Sequence, residues 1–149
     1  MLMAMNQPST PRADALPPHP MLNAMLVCDA AIKEAGTGKI SLIGIFENLN
    51  TVNFPARHPQ LAVYVKLTDA AGQYQLRLEL VQLENATIIG QGEGAVTVHD
   101  RMESAELVFE LHNLTFNAPG LYSFNLSANG RLVGSKTFSV LQLKRPGGG

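Results

Sequence analysis

Apolar residues recur at every second position through most of this chain, and that period limits what the chain can fold into. In Leu61-Ala62-Val63-Tyr64-Val65-Lys66-Leu67 the odd positions are apolar, and in Leu76-Arg77-Leu78-Glu79-Leu80 the even ones are. Leu107, Phe109 and Leu111 alternate with Glu106, Glu110 and His112, and Tyr122, Phe124 and Leu126 with Ser123, Asn125 and Ser127. Successive side chains of a strand point to opposite sides, so each pattern describes a strand with one buried and one wet face. Met25 to Cys28 and Ile40 to Phe46 are apolar at both parities and read as more central strands. Ala30 to Ala35 has the length of one helical turn or of a loop, ended by Gly36 and Gly38. Strands at regular spacing, split by turn signals, predict an all-β fold: a two-sheet antiparallel β-sandwich, immunoglobulin-like in outline. The cysteine pair and core tryptophan of antibody domains are missing, since Cys28 stands alone and there is no Trp.

Ala128-Asn129-Gly130 is the clearest turn, and parity selects its form. A two-residue Asn-Gly loop sets Leu126 opposite Val133 and turns Leu132 and Phe138 outward. A three-residue loop with Gly130 in the left-handed position pairs Leu126 with Leu132 and keeps Phe138 and Val140 on the buried face. The sequence therefore predicts the three-residue loop.

The chain of 149 residues suits one domain. Pro8, Pro11, Pro17, Pro18 and Pro20 remove amide donors and fix φ. Residues 1–20 are accordingly expected to form a disordered Pro-rich arm, 21–143 the single β-sandwich domain, and 144–149 a flexible tail. Met1 to Met5 is apolar but too short for a secretory signal, and no run approaches the ~18 apolar residues of a membrane span. Eleven Lys and Arg against twelve Asp and Glu leave a net charge of -1. That balance provides no electrostatic reason to expect nucleic acid or an anionic membrane. A single cysteine cannot close an internal disulfide, so a reducing, cytoplasmic setting is expected.

Five segments invite a chemical reading. Gly36-Thr37-Gly38-Lys39 looks like the end of a phosphate-binding loop, but Ile40 follows the lysine and a strand follows that, which reads as a hairpin turn. Gly90-Gln91-Gly92-Glu93-Gly94 has half a dinucleotide fingerprint with no helix after it, and reads as a bulge or loop between strands. Cys28 beside Asp29 has the makings of a nucleophile only with a histidine partner, and its apolar strand favours a small core residue. His99-Asp100 is the one adjacent pair of metal-ligand types, at a strand end where Asp commonly shapes a turn. Phe54-Pro55-Ala56-Arg57-His58-Pro59 is the segment with most to offer a partner. Two prolines stiffen it, and Phe54, Arg57 and His58 are predicted to form a protein-binding loop, an aromatic beside an arginine being a good anchor. The competing reading is that Phe54 caps the core while the prolines shape a crossover.

The order of Cys28-Asp29, Gly38 to Phe46, Phe54-Pro55 and His58-Pro59-Gln60-Leu61, with the later Pro119 to Phe124 and Asn129-Gly130, resembles a family of small bacterial proteins known only as a domain of unknown function. The resemblance spans about residues 21–142. It implies a β-sandwich in a bacterial cell and brings no activity, cofactor or catalytic residue. The functional expectation is thus a non-catalytic module that binds another protein, with no cofactor, through Phe54 to Pro59 or an exposed sheet edge. The alternative is a small-ligand or carbohydrate-binding module, with Tyr64 and Tyr74 as its outward-facing aromatics.

Overall fold

The computed structural model describes residues 16–144. They form nine strands: β1 (Met21–Lys33), β2 (Ile40–Ile45), β3 (Asn48–Thr51), β4 (Ala56–Thr68), β5 (Gly72–Gln82), β6 (Thr87–Val98), β7 (Ala105–Phe116), β8 (Gly120–Ala128) and β9 (Arg131–Gln142). A four-stranded sheet runs β2-β1-β4-β7 and a five-stranded sheet β3-β9-β8-β5-β6. The all-β, two-sheet expectation holds. The pairing departs from it at one place, since β3 lies parallel to β9. One of the two sheets is not a flat layer but a curled half-barrel.

The alternating residues fill the space between the sheets. Leu61, Val63, Val65 and Leu67 of β4 are fully buried, as are Leu78 and Leu80 of β5 and Tyr122, Phe124 and Leu126 of β8. At one end the rings gather around Phe138, with Tyr122 and Phe124 stacked on it at 6.0 and 5.5 Å, and Phe116 and Phe46 edge-on at 6.1 and 6.2 Å. β7 changes its buried parity along its length. Its buried positions are odd through Leu111 and even at Leu114 and Phe116, and Asn113, with φ of 55°, sits at the switch. Across from it stands Pro59, which has no N–H to offer, between the pairs His58–Leu114 and Gln60–His112.

The inner face of β6 carries glycine at alternate positions. A Cβ at Gly90 would stand 2.8 Å from Leu114 Cδ2, and one at Gly92 would meet Phe109 at 3.4 Å. The Gly90–Gly94 run therefore lets β6 lie close over the side chains of β7. It belongs to the interior of a strand rather than to a loop, and the bulge is at the neighbouring Ile89, where the register with β5 shifts.

Three sequence expectations are corrected. Ala30–Lys33 is neither helical turn nor loop but the distal part of β1. β2 is an edge strand, with Ile43 and Ile45 48% and 53% exposed. The β8–β9 turn is the two-residue form: Ala128 pairs with Arg131, and Asn129 and Gly130 take φ of 50° and 84°. A bulge at Val133 then sets Leu126 opposite Gly134, so Leu132 turns outward while Phe138 and Val140 stay buried. The extra residue that parity demands sits inside the strand instead of in the turn. Of the Pro-rich arm, residues 16–20 are described, and Pro18 and His19 touch the domain. Tyr74 Oη donates to Pro18 O at 2.6 Å and His19 Nε2 to Leu132 O at 3.0 Å. The remainder of the arm, 1–15, and residues 145–149 lie outside the described residues.

Candidate binding groove

Cys28 is where β1 changes partners. It pairs with Ala62 of β4 on one side and Ile45 of β2 on the other, and beyond it β1 pairs with β2 alone. The distal hairpin is closed by the bonds Glu34 N–H to Lys39 O and Gly38 N–H to Glu34 O, both 2.8 Å, with Gly38 at φ of 73°. The residues that looked like a phosphate loop are thus this hairpin's turn, and no helix follows to present amides to an anion.

The freed hairpin curls over the outer face of its own sheet. Cys28 and Ala62, which point to that face, are completely buried, and Tyr64 is 9% exposed. Between the hairpin and β7 a groove of about 390 Å³ remains, lined by Ala31, Ile32, Lys33 and Ile40 on one wall and Glu106, Val108 and Glu110 on the other. That volume falls in the range of ligand sites. Beneath it Tyr64 pairs across the sheet with Val108, and its hydroxyl donates to the Glu106 carboxylate.

Burial first, then the bond to Glu106 and the nearness of its charge, push the Tyr64 phenol up to about 12 from an ordinary 10.0. A folded value above the unfolded one means that this contact stabilises fully below pH 10 and is lost as pH rises through 12. Urea unfolding followed across roughly pH 9 to 12 is expected to show stability declining over that window, with a smaller decline in Tyr64→Phe.

The sequence's candidate residues lie elsewhere, and the structure keeps Arg57 and His58 together while setting Phe54 apart. Phe54 precedes a cis bond to Pro55 and packs half-buried against the core. Arg57 and His58 belong to β4, not to a loop. Arg57 is exposed. His58 is half-buried with its ring edge-on to Phe46 at 6.4 Å, and its buried Nε2 has no hydrogen-bond partner. Arg57 and His58 line a smaller cleft of about 160 Å³ beside Leu49, Asn50 and Thr51 of β3. Phe54, Arg57 and His58 therefore do not share one exposed surface.

The Cys28 thiol donates to Ala30 O at 3.3 Å and Ala62 O at 3.6 Å. Burial raises its pKa, an effect opposite to what a nucleophile needs. Native protein is expected to leave a disulfide reagent such as DTNB unreacted over minutes and to consume one equivalent in urea, and prompt labelling without denaturant would contradict the packing. His99-Asp100 resolves into a turn: Asp100 Oδ1 accepts from Met102 N–H at 2.9 Å and Asp100 O from Glu103 N–H at 2.8 Å. Among the described residues no group of three His, Cys, Asp or Glu is placed to hold a metal. Tyr64 and Tyr74, expected to face outward, are both buried, which removes the aromatic platform that sugar binding would use. The groove itself went unforeseen. Its one trace in the sequence is Val108, an aliphatic residue on the wet parity of β7, between Glu106 and Glu110.

Residues 23–141 match the model of a family of unknown function, DUF6941, and the chain belongs to that family. No curated protein matches it. Among solved structures it is similar to a β-glucosidase from Listeria innocua in complex with glucose, with 16% identity, a TM-score of 0.40, and coverage of 66% of this chain and 15% of that one. The β-glucosidase from Listeria innocua in complex with isofagomine matches with 13% identity, a TM-score of 0.41, and coverage of 85% and 17%. This chain spans less than a fifth of the enzyme's length, and likenesses this slight carry neither fold detail nor activity.

Proposed function

We propose that this protein is a non-catalytic interaction module that binds another protein on its β1–β2 hairpin. The observation that carries the reading is an uncovered aliphatic stripe. Ile32, Ile43 and Ile45 are 54%, 48% and 53% exposed. Ile43 pairs with Ala30, Ile45 with Cys28 and Ile32 with Ser41, and directly paired residues point to the same side, so all three isoleucines share one face of the hairpin. Contiguous exposed aliphatic surface on an edge hairpin favours a contact site over a solvated one. The immunoglobulin-like comparison enters here as a manner of use, with the strands as scaffold and an edge as contact surface. The buried thiol fits a bacterial cytoplasm, and no helix among the described residues is long and apolar enough to cross a membrane. The volume of the groove gives a small-ligand reading its one support.

The test is affinity capture from the native host, quantified by mass spectrometry, with Ile43→Lys/Ile45→Lys and Arg57→Ala versions in parallel. One stoichiometric partner lost at least about tenfold in the hairpin version and kept by Arg57→Ala is the expected result. Loss in Arg57→Ala alone would move the contact to the start of β4 and sink the hairpin assignment.

A further inference from the structure

We infer that the groove beside the hairpin takes an extended peptide segment with basic residues on either side of an aliphatic one. The inference rests on the interaction reading and adds the chemistry of the partner. Glu106, Val108 and Glu110 occupy alternate positions of β7 and point to one side, so about 7 Å separates neighbours and about 14 Å the two carboxylates. A ligand in extended conformation repeats at the same interval, which sets a basic, an aliphatic and a second basic side chain against Glu106, Val108 and Glu110 in turn. Tyr64 holds the first carboxylate in place from below. Among the described residues neither glutamate is in an ion pair with a lysine or arginine; Glu110 has only His112, at 3.9 Å. Lys66 stands across the sheet from Glu106 without closing on it. On the facing wall Lys33 and Ile40 are directly paired and share the face of the hairpin that Ala31 points to, with Ile32 reaching the rim from the other face; Ala31 and Ile40 meet the aliphatic side chain, and Lys33 repels a basic segment from that wall and turns its charges toward β7. Period, charge and apolar lining agree on one occupant.

The probes are three, a capped pentapeptide alternating lysine and valine, one alternating glutamate and valine, and a capped single lysine, each titrated into the full isotope-labelled chain and followed by amide NMR shifts. The lysine peptide is expected to move Ile32, Ile40 and Val108 saturably. Affinity is expected to fall at least about tenfold in Glu106→Gln/Glu110→Gln, whose exposed positions leave the spectrum's dispersion intact. Equal binding of the glutamate peptide, or undiminished binding in the double variant, would overturn the charge assignment while leaving the hairpin's capture of its partner standing. A capped single lysine binding as tightly as the pentapeptide would overturn the extended segment. Shifts confined to another surface, or none, would overturn the groove as the site.

Discussion

Phe138→Ala is expected to remove about 3–5 kcal/mol of stability, the usual cost of truncating a buried phenylalanine. The ring is 2% exposed and touches both sheets: Tyr122 and Phe124 from its own sheet, Phe116 from the other, and Phe46 from the crossover after β2. Its deletion therefore loses apolar burial, opens a cavity, and breaks edge-to-face contacts that contribute beyond area. A domain of this size holds roughly 5–15 kcal/mol in all, so the variant should unfold at markedly lower urea and is at risk of not folding at about 37 °C. Phe54→Ala is the control, a half-buried ring at the margin of the same core, and should cost less. A loss under about 1 kcal/mol for Phe138→Ala, with an unchanged urea slope, would show that the neighbouring rings close the gap and that Phe138 is not their centre.

How much of this was legible in sequence follows from the range of the forces involved. Alternation is local, so β5, β8, the Leu61–Leu67 part of β4 and the part of β7 up to Leu111 could be read with their buried faces, down to Leu78 and Phe124. Sheet order is not local. Asn48 of β3 lies opposite Ser139 of β9, and nothing in Asn48 to Thr51 announces so distant a parallel partner. The same limit explains β2. Ile40 to Phe46 is apolar at both parities, which suits a central strand, yet the hairpin leaves β4 at Cys28 and puts Ile43 and Ile45 in water. Tyr64 and Tyr74 occupy opposite kinds of position for a related reason. Tyr64 lies on the outer parity but is roofed by the hairpin, and Tyr74 is on the inner parity of β5, capped by the arm at Pro18. The candidate site was the least legible part. The expected loop is strand from Ala56 onward, which leaves Arg57 exposed and His58 half-buried, whereas the groove joins β1 and β7, segments far apart in the chain that only the folded-over hairpin brings together.

The β8–β9 turn offers the second large effect, because Asn129 does two separable things. Its φ of 50° lies in the left-handed region, where Asn is tolerated and alanine costs about 1–2 kcal/mol. Its side chain also ties the hairpin to the start of β5: Oδ1 accepts from Gln75 N–H at 2.8 Å, and Nδ2 donates to Gln73 O at 3.3 Å. Each such bond contributes about 0.5–1.5 kcal/mol net. Asn129→Ala loses both contributions and is expected to destabilise by about 2–5 kcal/mol. Asn129→Gly keeps the backbone at ease and loses only the side-chain bonds, for about 1–3 kcal/mol, and the difference between the two variants in urea unfolding isolates the backbone contribution. Equal losses would mean that the turn relaxes into another form when the side chain is gone. The three-residue loop is the natural one, since it would carry the extra residue now housed at Val133. In that case Leu126 would face Leu132 instead of Gly134, a change visible as a new cross-strand NOE between their side chains. A smaller loss for Asn129→Gly, with Leu126 still opposite Gly134, would show that the tight turn and the strand bulge are fixed independently, the turn by Asn129 and the bulge by the burial of Phe138 and Val140.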